Sequence, residues 1–200
     1  MMTSVPTLQD RLYQSPWPSE FRFFQLACVV DDLHLAARRW ADVFGIGPFH
    51  LMKRNIAPVI YRGEASTLDF QVAVAQAGPV QIELIAQYCD SPSVYREVFA
   101  KGEGGVHHLA TVVRDFDAAK ARYVRSGFSV ISEFVGTAMR VGYIDTRAAF
   151  GFVTEVIEEQ PAFMTALTRI SDVCAGWDGT DPLRILTRDG YRVPDADAPR

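Results

Sequence analysis

The sequence has few cysteines and no long apolar runs, and both shortages limit what the protein can be. The 200 residues include 3 cysteines, which stand far apart and are odd in number, so we expect neither a disulfide framework nor a thiolate metal cluster. The longest apolar runs, such as residues 23–30, are strand-sized and too short to cross a bilayer. Residues 3–19 lack the basic start and apolar stretch of a signal peptide. We therefore expect a cytoplasmic protein with no membrane partner.

A surplus of basic charge is also missing. The net charge is -4, with acids and bases mixed along the chain, so nucleic acid is not an expected partner. The glycines at Gly45 and Gly47 follow a helical pattern and lack the context of a nucleotide-binding loop. Hydrophobic residues make up 48% of the chain, enough to bury a sizeable core. A small molecule remains the expected partner.

What the sequence does contain is an internal repeat. Gln25-Leu-Ala-Cys-Val-Val-Asp-Asp-Leu33 matches His108-Leu-Ala-Thr-Val-Val-Arg-Asp-Phe116 at one constant spacing. The match continues at that spacing beyond both stretches, for example at Ala36 with Ala119. Because a repeat determines architecture before any single element does, we expect two modules of the same fold.

Each copy has the pattern of a strand, a helix and three further strands. A β-branched run leads to Asp32 or Asp115, which stands where a helix N-cap belongs. Apolar residues then follow at helical spacing, and Gly45 or Gly127 ends the helix. The later strands are expected at 49–55, 68–75 and 80–86 in the first copy and at 129–135, 138–145 and 152–158 in the second.

The expected fold is therefore α+β, with two paired βαβββ modules that form a curved mixed sheet shaped as a cup. The boundaries are an N-terminal extension (1–20), a first module (21–88), a connecting helix and flexible linker (89–105), a second module (106–160), and a C-terminal helix with a tail (161–200). The helix is expected at 162–173, and the tail is expected to be loosely ordered or to wrap the surface.

Each copy also carries one polar residue on its first strand and one acid on its last. Gln25 and His108 occupy matching places, and Glu83 and Glu155 both lie inside apolar strand-like runs. A carboxylate buried among Val and Ile is costly unless it is paired or bound to metal. If the two sheets curl around a pseudo-twofold axis, the four side chains converge on one divalent ion, which could be Zn, Ni, Co, Mn or Mg.

Simpler interpretations exist for each residue taken alone. A single Gln or Glu on a strand commonly faces solvent, and adjacent histidines are a weak signal because neighbouring side chains on a strand point to opposite faces. We interpret His107 as structural for that reason. The repeat-related placement of all four residues favours the metal site.

The stretches Gly104-Gly-Val-His-His-Leu-Ala110 and Val80-Gln-Ile-Glu-Leu-Ile85 resemble the vicinal-oxygen-chelate superfamily. That superfamily includes glyoxalase I, methylmalonyl-CoA epimerase, extradiol dioxygenases and bleomycin-resistance proteins. The resemblance implies a cup around one divalent ion. The order Gln25, Glu83, His108, Glu155 is similar to zinc-using glyoxalase I, whereas epimerases typically have His in place of Gln25.

By this resemblance the chain is a metal-dependent isomerase, epimerase or lyase that abstracts a proton next to a metal-bound carbonyl of a small organic substrate. Glu155 is the expected base and Glu83 the second. Two alternatives stay open, a non-catalytic ligand-binding or resistance protein on the same fold and an extradiol-type dioxygenase. The dioxygenase is disfavoured because its two-His, one-Glu iron site does not match these residues.

Substrate contacts are expected from two hairpins. Asp69 and Gln71 share one face of a strand, and Arg140 and Tyr143 lie on the matching hairpin of the second copy, where the arginine could meet an anionic substrate. Solvent exposure is an equally good interpretation of Asp69 and Gln71, and residues such as Arg140 and Tyr143 more often solvate the edge of a sheet. A homodimer is possible, because superfamily members exchange modules between chains, although one chain carries both modules and could form the cup alone.

Overall fold

The structure, a computed structural model, describes residues 23–137, 139–187 and 190–194. The predicted N-terminal extension therefore lies outside the described residues. The first repeat contains one helix and five strands, which are β1 (Phe23–Val29), α1 (Leu33–Phe44), β2 (Phe49–Leu51), β3 (Asn55–Tyr61), β4 (Glu64–Ala77) and β5 (Val80–Gln87).

The second repeat has a similar order and is followed by a C-terminal helix and hairpin. Its elements are β6 (Gly105–Val113), α2 (Phe116–Arg125), β7 (Val130–Phe134), β8 (Val141–Ile144), α3 (Arg147–Phe150) and β9 (Val153–Glu158), and the chain then forms α4 (Pro161–Ala175), β10 (Leu183–Thr187) and β11 (Gly190–Arg192).

Both long helices of the repeat begin in the same way. The Asp32 carboxylate accepts a hydrogen bond from Leu35 N at 3.0 Å, and the Asp115 carboxylate accepts one from Ala118 N at 2.9 Å. Each bond satisfies an amide of the first helical turn that has no partner within the helix. The two predicted N-caps are thus confirmed.

Eight strands are hydrogen-bonded in a ring, in the order β4, β3, β7, β8, β9, β6, β1, β5 and back to β4. In the antiparallel pair β1–β6, Gln25 lies opposite Ala110 and Ala27 lies opposite His108. In the repeat, Gln25 corresponds to His108 and Ala27 corresponds to Ala110, so the two pairs are equivalent to each other. A pseudo-twofold axis therefore passes between β1 and β6, and the sheet curls into the expected cup.

The core consists of one inner cluster and two outer ones. The inner cluster takes buried residues from all eight ring strands and from the linker, where Val94 and Tyr95 are buried. In the outer clusters, α1 packs Leu33 and Ala37 against the first module, and α2 packs Phe116 against the second. The helices therefore cover the outside of the ring, while the linker fills part of its inside.

Three expectations in the first module and linker were wrong. The structure forms β3 where no strand was expected, because a proline, Pro58, argues against a strand in the sequence. The ladder between β3 and β7 begins only at Val59, so the backbone N–H that Pro58 lacks costs little. The linker after Ser91 forms turns rather than a regular helix. The glycines before β6 are not a loose joint, since a Cβ on Gly104 would lie 2.3 Å from the Val29 carbonyl oxygen.

The C-terminal region is more ordered than expected. The predicted helix is present as α4, and β10 pairs in parallel with β2, with Leu183 opposite Phe49. Residues 183–187 thus extend the sheet rather than lying loosely on the surface. Among the described residues, none of the helices is long and apolar enough to span a membrane.

Candidate metal centre

The four predicted ligands lie on four neighbouring strands of the ring. Gln25 is on β1, Glu83 on β5, His108 on β6 and Glu155 on β9. The register is the same in both modules, because Glu83 lies opposite Ala27 and Glu155 lies opposite the repeat-related Ala110. The fold thus brings residues that are far apart in sequence to one place.

Three of the four side chains meet at the His108 ring. His108 Nε2 is 3.1 Å from a Glu155 oxygen and 3.5 Å from a Glu83 oxygen. One potential ligand atom from each residue lies within 4.8 Å of the others. The His108 side chain is fully buried, and those of Glu83 and Glu155 are 14% and 8% exposed. A cation held between them would be largely shielded from solvent.

The charges at this point favour a cation. Burial and the neighbouring charge of Glu155 raise the pKa of Glu83. Burial alone would lower the pKa of His108, but the Glu155 and Glu83 carboxylates outweigh it and raise that pKa to about 9. A protonated His108 supplies one positive charge to two carboxylates, whereas a divalent ion would supply two.

Gln25 lies on β1, between the strands of Glu83 and His108, and offers its side-chain oxygen as a fourth candidate ligand. Its Nε2 donates to the Gln81 side-chain oxygen at 2.8 Å, and both glutamines are buried. Among the described residues, Gln25 Oε1 is buried without a hydrogen-bond partner. A buried carbonyl oxygen without a donor is costly unless something else binds it. Two carboxylates, an imidazole and an amide oxygen suit a divalent ion.

His107 lies beside this group but faces another partner. Its Nε2 lies 3.0 Å from the Val94 carbonyl oxygen, and its Nδ1 lies 2.9 Å from His108 Nδ1. Burial lowers the pKa of His107 to about 3, so this ring is neutral. Both ring nitrogens are engaged away from the carboxylates, which agrees with the structural role predicted for His107.

A cavity of about 420 Å³ opens onto the group. Gln25, Glu83 and Glu155 lie in its wall. Most of the remaining lining is apolar. It comes from the strands and the connections between them, including Met52, Phe70, Val72, Val74, Phe134, Met139, Val141 and Ile157, and from α4, including Phe163, Ala166, Leu167 and Ile170. The cavity has the size and polarity of a site for a small organic molecule.

Two buried tyrosines add hydroxyl groups to the cavity wall. Tyr95 and Tyr143 both line it, and their hydroxyl oxygens lie 2.9 Å apart. Burial raises the pKa of each phenol well above 10, so both keep their protons. Only one of the two protons is needed for the bond between them. The pair can therefore donate the other to a substrate oxygen.

Of the residues predicted to contact substrate, the structure brings Tyr143 into the cavity wall. Asp69 forms an ion pair with Arg54, Gln71 donates to the Met52 carbonyl oxygen, and Arg140 forms an ion pair with Asp117. Among the described residues that line the cavity, these three do not occur. Arg140 does not meet the cavity because α2 supplies its acidic partner.

The sequence interpretation missed three contributors to the site. Gln81 lies two residues before Glu83 on β5, so strand alternation could have placed both on one face. Tyr95 lies in the linker, outside the repeat, and no pattern marks it. The helix α4 lines the cavity, and its amphipathic sequence does not reveal which surface it covers.

A family model described as the Glyoxalase/Bleomycin resistance protein/Dioxygenase superfamily matches residues 24–150. The chain belongs to this superfamily. The resemblance noted in the sequence is thereby confirmed, as is the cup-shaped α+β fold. No curated protein matches the sequence of this superfamily member.

Solved structures resemble the fold of this superfamily member at low sequence identity. Methylmalonyl-CoA epimerase from Mycobacterium tuberculosis is 20% identical, with a TM-score of 0.54, and the match covers 76% of this chain and 97% of the epimerase. A hypothetical protein from Bacillus halodurans is 15% identical, with a TM-score of 0.52, and the match covers 70% of this chain and 94% of that protein. At such identities the likeness shows the fold alone.

Proposed function

We propose that the chain is a metal-dependent isomerase, epimerase or lyase that moves a proton next to a carbonyl group of a small, largely apolar substrate. The observation that carries this proposal is that two largely buried carboxylates, Glu83 and Glu155, meet at the His108 imidazole and both line an apolar cavity. Membership of the Glyoxalase/Bleomycin resistance protein/Dioxygenase superfamily agrees with a site for a small organic substrate in the cup.

The metal would be held by Gln25, Glu83, His108 and Glu155. A divalent ion bound there supplies a Lewis acid that stabilises negative charge on a substrate oxygen. Its identity, among Zn, Ni, Co, Mn and Mg, is not fixed by these donors. The apolar walls exclude water, which strengthens every electrostatic interaction inside the cavity.

The two carboxylates provide the proton transfer. Glu155 accepts the proton from the carbon next to the carbonyl, and the electron pair of the broken C–H bond moves toward the carbonyl oxygen. Glu83, whose oxygen lies 3.5 Å from the same His108 nitrogen, starts the turnover protonated and gives that proton to carbon; the proton on Glu155 then passes to solvent while Glu83 takes one up, which resets the pair. Because a carboxylate has two oxygens, one can remain bound to a cation while the other takes the proton.

The site of proton return distinguishes the three reaction types. Return to the same carbon from the opposite face gives epimerisation, and return to the neighbouring carbon gives isomerisation. Loss of a leaving group from the adjacent carbon gives elimination. The hydroxyl proton that the Tyr95–Tyr143 pair does not use is available to the substrate oxygen in each case.

The test measures metal content and proton exchange together. Purified protein loaded with each divalent ion is incubated in deuterated water with a panel of apolar ketones, hydroxyketones and thioesters, and proton NMR follows loss of the α-proton. We expect exchange with at least one compound. Glu155→Gln should slow it by about 100-fold or more.

Glu133→Gln is the matched control, because Glu133 pairs with Lys120 away from the cavity. This variant should exchange like the unmodified protein. A metal-loaded protein that exchanges no α-proton in the panel would contradict the proposed reaction class.

A second candidate is a protein that sequesters its ligand without turnover. The observation that favours it is the cavity itself, which α4 covers with Phe163, Leu167 and Ile170. Such a protein would bind an apolar molecule tightly with and without chelator. Isothermal titration of a compound that binds, with EDTA present and absent, separates the two candidates.

A further inference from the structure

We propose that His107 is a positioning residue that fixes the tautomer of His108 and leaves His108 Nε2 as the nitrogen able to bind a metal ion. This inference rests on the proposed metal site and deepens it by naming what orients one ligand. His107 does not itself touch the carboxylates. It acts through the hydrogen bond between the two Nδ1 atoms.

A β-bulge puts the two rings in contact. Along β1 and β6 the register passes from Ala27 opposite His108 to Cys28 opposite Val106, so His107 is an extra residue without a partner on β1. In a regular strand neighbouring side chains point to opposite faces, and these two rings could not meet. A bulge of this kind re-aims a side chain, and such bulges occur often beside functional sites.

The proton positions follow from the Val94 carbonyl oxygen, which can only accept. His107 Nε2 lies 3.0 Å from it and must therefore carry a proton. Among the described contacts, the His107 ring bonds to a carbonyl oxygen and an imidazole and to no carboxylate that would hold a second proton, so the ring is neutral and its Nδ1 is an acceptor. His108 Nδ1, 2.9 Å away, must be the donor, which leaves the lone pair of neutral His108 on Nε2. That atom faces Glu155 and Glu83.

The His107 ring is held in this orientation by packing. Its side chain is 1% exposed, and its centroid lies 5.2 Å from that of Tyr95 and 6.4 Å from that of Phe99. Both aromatic residues belong to the linker that supplies the Val94 carbonyl. The linker therefore holds the His107 ring in place, and the His107 ring in turn determines which nitrogen of His108 carries the proton.

Long-range nitrogen–proton NMR on protein labelled at its histidines tests the tautomers directly. The sequence contains 4 histidines, so the ring signals can be assigned one by one with single substitutions. We expect His107 to carry its proton on Nε2 and His108 to carry one on Nδ1, both before and after zinc is added. Of the two ring nitrogens of His108, zinc should strongly shift the signal of Nε2 only.

Two substitutions at His107 then separate positioning from packing. His107→Leu removes the acceptor, and we expect zinc affinity to fall by about 10- to 100-fold, as for other residues that orient a metal ligand. His107→Gln offers an amide that can donate to Val94 and accept from His108, so it should restore most of that loss. Phe116→Leu loosens the outer cluster of the second module, away from His107, and should leave zinc affinity within about threefold of the original.

Each result bears on one of the two proposals. A protein that binds no zinc overturns the proposed metal site, while the spectrum of the metal-free protein still reads the His107 tautomer. A His107 ring with its proton on Nδ1 overturns the positioning role, even if zinc binds. Unchanged zinc affinity in folded His107→Leu, or equal losses in the Leu and Gln variants, also overturns it.

Discussion

At the residue scale, the proposed metal site predicts that Gln25 and Gln81 favour the metal-loaded protein over the metal-free one. They bond to each other, but Gln25 Oε1 and Gln81 Nε2 are buried without partners among the described residues. A buried polar group without a partner costs about 1–3 kcal/mol. A cation bound as proposed would give the Gln25 oxygen an interaction that offsets this cost.

Replacing both glutamines by leucine should therefore have opposite effects in the two states. We expect the free energy of unfolding without metal to rise by about 1–3 kcal/mol, because the orphaned groups are gone. The increase in melting temperature that zinc produces should shrink, because one ligand is lost. Urea unfolding and calorimetry, each with EDTA or zinc, measure the two effects.

Gln81→Leu alone provides the comparison. It keeps the proposed ligand but leaves both polar ends of Gln25 without a protein partner. This variant should be less stable than the original without metal and should still be stabilised by zinc. A double variant that responds to zinc as the original does would show that Gln25 is not a ligand.

At the scale of elements, the sequence predicted what the repeat encodes. Equivalence between Gln25 and His108, and between Glu83 and Glu155, placed four residues on four strands that the fold makes neighbours. Features that belong to one copy alone had no such support. Pro58 concealed β3, and the bulge that brings His107 to His108 depends on the register between two distant strands.

The structure of the linker depends on contacts with residues that are distant in sequence, and the sequence pattern does not show these contacts. Ser93 accepts from the backbone amides of Tyr95 and Arg96, as a helix N-cap does, yet the segment after it forms turns rather than a regular helix. Its hydroxyl donates to Gln87 on β5 at 2.6 Å and ties the linker to the ring. Glu97 then forms ion pairs with Arg62 and Arg147. These contacts join the linker to the β3–β4 turn and to α3, and no local sequence signal specifies them.

This ion-pair network should make stability depend on pH in the acid range. Hydrogen bonds from Arg147 lower the pKa of Asp145 to about 2, from an ordinary value of 3.8. Because the folded protein holds the charged form, the stabilisation is fully present above about pH 4 and is lost as the pH falls toward 2. After allowance for solvent screening it amounts to about 1–2 kcal/mol.

Arg147→Met should remove this contribution. Urea unfolding at pH 7 should show a loss of about 1–2 kcal/mol, and the decline in stability from pH 4 to pH 2 should be shallower than in the original protein. Lys101→Met breaks the exposed pair with Asp90 and should cost less than about 1 kcal/mol. Parallel pH profiles for the Arg147 variant and the original would contradict a role for the network.

At the scale of the whole molecule, the pseudo-twofold axis makes the proposed metal centre a joint product of both modules. Each module supplies one carboxylate, and the ladders β1–β6 and β3–β7 join the modules directly. The linker packs Val94 and Tyr95 into the core of the ring that it connects. A chain that exchanged modules with a second copy would have to withdraw these residues. The geometry therefore favours a cup formed within one chain.

Co-expression of Glu83→Gln and Glu155→Gln chains tests this arrangement. In exchanged dimers the intact first module of one chain would meet the intact second module of the other, which restores about one complete site per two chains. A cup within one chain leaves every site short of one carboxylate, so we expect mixtures to bind zinc no better than either variant alone. Elemental analysis and zinc titration of differently tagged, co-purified chains measure this, with mixtures containing the unmodified chain as the positive control. Recovered zinc binding in the doubly substituted mixture would instead assign the site to two chains.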